Sequence, residues 1–316
     1  MHIWIGIKQG GLNMEKLGFS TTNCENTLYQ KTEYSNLASR LEEKEIPLEA
    51  ENQETDKLDK LEIWNKDSFV GIPILAITFA EILIYFGKVS EALWIHTITL
   101  MGLSLSTKFI KNEDSYKTYQ ALMLLPLLRL VNLSMPVFFD TALYSFILIY
   151  TTMAILLAIT ITYQQLTSKD IGITFKRMWL YLPFSVLISL ALALGEYMII
   201  KPGYLISDLS PLNILKLTVI MVFFVGLIEE VIFRSILQTR LNMIFGERGG
   251  ILLSSILFGL MHFGYQTFYE VLYVSFVGAI LGYLFYKTRS LPLIALIHGF
   301  TNVFLFGVIP HLSSGI

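Results

Sequence analysis

The sequence predicts an all-α, polytopic transmembrane helical bundle of about 8–9 spans, preceded by a polar N-terminal tail. Three observations carry that prediction. The chain is 54% hydrophobic and only 15% charged, with a mean hydropathy of +0.59. Apolar runs of spanning length recur from residue 69 to residue 310, and the charges collect in the gaps between them. A soluble domain carries about 25% charged residues, so a chain this apolar would leave too much apolar surface in water.

The tail comes first. Residues 1–66 hold 8 Lys and Arg against 12 Asp and Glu, a net charge of −4, and Pro47 interrupts their thin apolar content. That composition predicts a solvated, disordered tail. Its one apolar run, Ile3–Ile7, is shorter than the roughly 7–15 residues of a secretory signal core. Cys24 is the single cysteine, which excludes an internal disulfide and any zinc site built from several thiolates. No basic tract interleaved with aromatics points to nucleic acid. The expected partner is the lipid bilayer.

A span needs about 20 mostly apolar residues. Nine candidates meet or approach that length: 69–86, 89–107, 119–138, 141–163, 178–200, 214–240, 250–267, 269–286 and 291–310. The first two are short and separated only by Gly87 and Lys88, so they are a helical hairpin or a re-entrant pair. Lys and Arg are retained on the cytoplasmic side, and gaps rich and poor in them alternate along the nine candidates. The rich gaps carry Lys108, Lys111 and Lys117, then Lys169, Lys176 and Arg177, then Arg240 and Arg248, then Lys287 and Arg289. The gaps at 139–140 and near 268 carry none. This predicts a cytoplasmic N-terminus and an external C-terminus, in a prokaryotic plasma membrane.

Ionisable side chains inside a membrane are costly and read as functional or paired by default. The sixth candidate contains Glu229-Glu230-Val-Ile-Phe-Arg234. Glu230 and Arg234 are spaced i,i+4 and meet on one helix face. Glu229 lies about 100° round the helix and points elsewhere, so Arg234 neutralises one carboxylate and leaves the other for chemistry. The seventh candidate carries Phe258-Gly-Leu-Met-His262, with the phenyl ring and the imidazole one turn apart. The ninth carries His298-Gly-Phe-Thr-Asn302. At ~1.5 Å per residue, Glu229 lies roughly 16 Å from the Arg240 end of its helix, His262 about as deep and His298 roughly 10 Å. A carboxylate, two imidazoles and a carboxamide thus share one layer, measured from the cytoplasmic face. Singly, each has a structural explanation: a helix–helix hydrogen bond for a His or Asn, an ion pair for Glu and Arg. Together they point to a functional site. Glu81, Arg129 and Asn132 read instead as structural polar contacts that pair with one another.

The ordered set Glu229-Glu230-x-x-x-Arg234, Phe258-x-x-x-His262 and His298-x-x-x-Asn302 resembles the motifs of the CPBP family. That family comprises the type II CAAX prenyl endopeptidases and the bacteriocin-processing or immunity proteins, also called the Abi family. Asp170-Ile-Gly-Ile-Thr-Phe175 is similar to the segment that precedes the family's core. The resemblance covers about residues 170–310. It divides the chain into a cytoplasmic tail (1–66), N-terminal transmembrane helices (67–168) and an intramembrane protease core (169–312).

The resemblance implies an intramembrane endopeptidase acting on a membrane-associated protein or peptide, prenylated or leader-bearing. Glu229 with His262 would activate the attacking water, and His298 with Asn302 would stabilise the oxyanion. Glu230, Arg234 and Phe258 would hold and tune the site. No cofactor is favoured. Zinc is the one possible, with Glu229, His262 and His298 as its ligands, although the His-Glu-x-x-His helix of zinc peptidases is missing. A non-proteolytic scaffold or immunity protein of the same fold is the alternative. A transporter is disfavoured, because the chain shows no related halves.

Overall fold

The computed structural model describes residues 70–134, 142–176 and 178–313. The predicted tail with its Cys24, the gap at 139–140 and Arg177 lie outside the described residues. Those described are helical with no strand among them, and they fall within the compact unit Glu62–Ile316.

Helix α1 (Val70–Tyr85) is joined to α2 (Val89–Ser106) by a turn at Gly87, whose φ of 74° suits glycine. Ala80 and Ile84 of α1 pack with Ala92 of α2. Helix α3 (Glu113–Ser134) starts where Asn112 Oδ1 accepts a hydrogen bond from Ser115 N at 2.9 Å, with Glu113 and Asp114 in the first turn. Such a cap satisfies one of the free N–H groups at a helix start, and acidic side chains there oppose the positive end of the helix dipole. Helix α4 (Ala142–Tyr163) is uncharged along its length.

The Asp170–Phe175 stretch is a loop pinned to the far end of the chain. Asp170 accepts from Thr167 N and Thr167 Oγ1, and these bonds hold its carboxyl below the usual range. Gly172 O accepts from Leu291 N at 2.8 Å, and Ser290 Oγ donates to Thr174 O at 3.2 Å. At Gly172 φ is 83°, and an added Cβ would lie 2.6 Å from the Phe285 ring. No side chain fits there.

Helix α5 (Met178–Ile200) follows. Before α6, the Asp208 carboxylate accepts from Ser210 N and Asn213 Nδ2, which sets its pKa at about 2. The sixth and seventh candidates then form one helical run, Pro211–Tyr265. Gly246 (φ 72°, ψ 169°) divides that run, giving α6 (211–245) and α7 (247–260). A 3₁₀ turn, Phe263–Tyr265, leads to α8 (Phe268–Thr288), and α9 (Leu291–Ser313) ends the described chain.

Helices therefore occupy all nine candidate positions, with shifted ends. Five helical runs among the described residues are long and apolar enough to cross a membrane: α4, α5, the 55-residue run of α6 and α7, α8 and α9. Helix α1 is a shorter apolar helix. Helix α3 opens with Glu113-Asp114-Ser-Tyr-Lys117, which dilutes its apolar content relative to the predicted 119–138.

The helix that carries the carboxylates and the helix that carries His298 and Asn302 touch backbone to backbone. A Cβ on Gly299 would lie 2.5 Å from Val222 Cα, and one on Gly226 would lie 2.9 Å from Ala295 O and Gly299 N. Two glycines facing each other are what allow α6 and α9 this approach.

Candidate active site

Glu229 and Glu230 occupy a single α-helical turn, Leu227–Glu230, between two π-helical stretches, Ile220–Gly226 and Val231–Gln238. A third π-helical stretch, Phe304–Val308, begins two residues after Asn302. Wider i→i+5 turns of this kind recur at functional sites, because they re-aim side chains that a regular helix would point elsewhere.

The two carboxylates diverge as the 100° offset predicts, Glu230 toward Arg234 and Glu229 toward Tyr150. One imidazole bridges them. His298 Nδ1 lies 2.8 Å from Glu230 Oε1, and its Nε2 lies 3.7 Å from Glu229 Oε2. Helix α9 comes close enough to place a ring between neighbouring carboxylates that diverge on their own helix. The i,i+4 reading of Glu230 and Arg234 agrees with the structure: Arg234 Nε stands 3.3 Å from Glu230 Oε2, and both side chains are fully buried. The Arg234 guanidinium also lies over the Phe258 ring, 4.4 Å from its centroid, where the negative ring face attracts a cation.

Phe258 is the hub of this arrangement. Its ring meets His262 and His298 edge to face, with centroids 5.0 and 5.7 Å apart, and packs on Phe233 at 4.9 Å. His262 lies beyond the end of α7 rather than inside a helix. The chain leaves α geometry at Met261 (φ −63°, ψ −7°) and His262 (φ −98°, ψ 7°). The predicted one-turn relation to Phe258 survives as a hydrogen bond between His262 Nδ1 and Phe258 O at 2.9 Å. A carbonyl only accepts, so Nδ1 carries the proton and Nε2 keeps the lone pair in the neutral ring.

Glu229, His262, His298 and Asn302 all line one cavity of about 290 Å³. Asn302 makes no hydrogen bond to a described residue, so its carboxamide is uncommitted. Five further polar side chains line the same cavity, outside the motif set: Arg129, Asn132, Tyr150, Glu196 and Tyr265. The Tyr150 hydroxyl donates to Glu229 Oε1. A signal for Tyr150 existed, since a phenol eight residues into α4 sits far from the interface where membrane tyrosines gather. Arg129 pairs with Glu81, as expected, and also donates to Met261 O. Tyr265 stacks on His262, with ring centroids 6.4 Å apart.

Among the described residues no three His, Cys, Asp or Glu side chains are gathered closely enough to hold an ion. Both His298 nitrogens face carboxylates, while His262 keeps its Nε2 free.

Residues 211–304 match a family model, that of the type II CAAX prenyl endopeptidase Rce1-like proteins. This segment is Rce1-like. It holds every motif residue from Glu229 to Asn302, and its start coincides with the start of α6. Neither the curated proteins nor the solved structures contain a match to the chain. The apolar helices indicate an integral membrane protein. Helices α1–α5, including Arg129 and Tyr150, lie outside the Rce1-like segment.

Proposed function

We propose that the chain hydrolyses a peptide bond in a membrane-associated substrate, a prenylated or leader-bearing protein or peptide, without a metal. The observation that carries this reading is the single cavity shared by Glu229, His262, His298 and Asn302 inside the Rce1-like segment. On this reading residues 169–312 are the catalytic core, 67–168 the helices that flank it and 1–66 a cytoplasmic tail.

Glu229 is the base. Its Oε1 is occupied by the Tyr150 hydroxyl, so Oε2 is the oxygen left to receive a proton from water. The Nε2 lone pair of His262 accepts the water's other hydrogen and orients it. The water oxygen attacks the scissile carbonyl carbon, and the carbonyl oxygen becomes an oxyanion. Asn302 Nδ2 and a doubly protonated His298, through Nε2–H, donate to that oxyanion. Collapse of the tetrahedral species breaks the C–N bond as Glu229 returns its proton to the leaving amine. Glu230 and Arg234 keep His298 in place through its Nδ1.

Comparison of membrane peptides from a null strain with those from strains expressing the wild-type and Glu229→Gln proteins tests this. Peptides cleaved only with the wild-type protein are the expected result. Identical peptides from both strains, with the biological phenotype intact for Glu229→Gln, would move the protein to the scaffold or immunity class.

A further inference from the structure

Arg129 belongs to α3, outside the Rce1-like segment, yet it reaches the cavity. Its side chain is buried and makes three close contacts. Nε donates to Glu81 Oε1 at 2.8 Å, a terminal nitrogen donates to Glu81 Oε2 at 2.5 Å, and the same nitrogen donates to Met261 O at 2.6 Å. Glu81, on α1, is fully buried and also lies 3.2 Å from His96 Nε2 on α2. One guanidinium therefore ties three N-terminal helices to a single backbone carbonyl.

That carbonyl is not an arbitrary one. Met261 closes α7, and its C=O is among the last carbonyls of the helix, which have no partner further along the chain. The next residue is His262. A cation on the terminal carbonyls is favourable electrostatically, and a planar guanidinium holds direction as well as charge. Both Glu81 oxygens grip the same guanidinium, so it cannot swing away without leaving a buried carboxylate alone. The Met261 carbonyl is thus fixed from outside its own helix, one peptide unit from His262.

We propose that Arg129, locked by Glu81, is a positioning residue for His262. It sets the angle at which the chain leaves α7, and so keeps the His262 Nδ1–H on Phe258 O and Nε2 in the cavity. This rests on the assignment of His262 to catalysis given above.

The test uses the double variant Arg129→Met/Glu81→Gln, which removes both charges together and leaves no buried ion unpaired. Histidine ¹⁵N spectra of the full-length protein in micelles, assigned by single His→Gln variants, report each ring's tautomer without any substrate. The expected result is a melting temperature near that of the wild type and a His262 signal that changes from one fixed tautomer to an average of two. The His298 signal, held by Glu230, should not move. Turnover of an internally quenched peptide with a prenylated cysteine near its C-terminus should fall on the order of tenfold to a hundredfold in kcat, with KM little changed. Arg129→Lys, which keeps one donor, should recover part of that loss.

An unchanged His262 signal would overturn the proposal, and so would equal disturbance of His262 and His298, which marks general loosening. If the double variant fails to fold, Arg129→Lys carries the same ¹⁵N comparison. Failure of the catalytic reading looks different: Glu229→Gln and His262→Ala would then turn the peptide over at the wild-type rate, whatever the tautomer spectra show.

Discussion

Two buried ionic clusters among the described residues, one around Glu81 and one around Glu229 and Glu230, are built on opposite plans. In the first, Glu81 is claimed on both oxygens by Arg129, at 2.8 and 2.5 Å, with His96 beside it. One carboxylate meets one guanidinium, and both carboxylate oxygens are taken. In the second, Glu230 meets Arg234 at 3.3 Å and His298 at 2.8 Å, while Glu229 meets the same imidazole only at 3.7 Å. The saturated cluster joins helices. The undersaturated one borders the cavity with a carboxylate oxygen and an imidazole nitrogen to spare. An ion cluster that chemistry can use is one whose charges are incompletely matched by its own partners.

The largest effect tests the half of the second cluster that is closed. Arg234 has no exposed surface, and its loss strands Glu230 beside Glu229. Removing one member of a buried pair typically costs ~3–5 kcal/mol, so Arg234→Ala should lower the yield and thermal stability of folded protein in the membrane, with activity falling as a consequence. Normal yield and melting with turnover alone abolished would show that Arg234 acts on the reaction, and would blur the contrast between the clusters.

Asn302 comes next. It makes no hydrogen bond to a described residue, so the reading predicts a loss in the transition state only. Removal of one oxyanion donor costs on the order of 10²–10³ in kcat, and Asn302→Ala should show that loss with unchanged stability. A stability loss with a normal rate per folded molecule would make Asn302 a packing residue.

Tyr150→Phe should do less. It deletes one hydrogen bond to a charged acceptor, worth ~1.5–3 kcal/mol, and frees Glu229 Oε1 without emptying the cavity. We expect roughly a tenfold drop in turnover, read against Phe146→Leu as a control on the same helix. No change would mean that Glu229 is oriented by His298 alone.

How much of this was legible differs between the two clusters for a physical reason. Hydropathy places apolar helices because burial follows composition, and all nine helical positions came from it. The i,i+4 pairs were readable because a regular helix fixes which residues share a face. What defeated that logic was departure from a regular helix or reach between helices. The π-helical turns around Glu229 and Glu230, and the approach of α9 at Gly226 and Gly299, put His298 between two carboxylates that helix geometry alone sends apart. His262 was placed inside a span, but it sits past the end of one, because α geometry stops at Met261. Tyr150 and Arg129 belong to helices outside the motif set, so no local spacing links them to Glu229 or to Met261. The Glu81–Arg129 pairing could be anticipated from charge alone. Its second grip, on a carbonyl, could not, because every residue has one.

The smallest expected effect is none at all, and it bears on whether the undersaturated cluster holds protons or an ion. The three side chains that could ligate zinc are Glu229, His262 and His298. His262 presents Nε2 to the cavity while its Nδ1 is held by Phe258 O, which alone would suit a ligand. His298 does not suit one. Its Nδ1 is on Glu230, and its Nε2 faces Glu229 at 3.7 Å, so the lone pair a metal would need is directed at a carboxylate oxygen. A ring between two carboxylates is better arranged to carry protons on both nitrogens than to coordinate a cation. Zinc would also lower the pKa of a bound water to about 7, with Glu229 then a ligand and not the base. We therefore expect purified protein to contain well under one equivalent of metal by elemental analysis, and to keep its turnover after exhaustive chelation. Tightly bound zinc whose removal abolishes activity and whose return restores it would show that His298 turns away from Glu229 in the working enzyme. The contrast between the clusters would then lie in metal affinity rather than in unmatched protons.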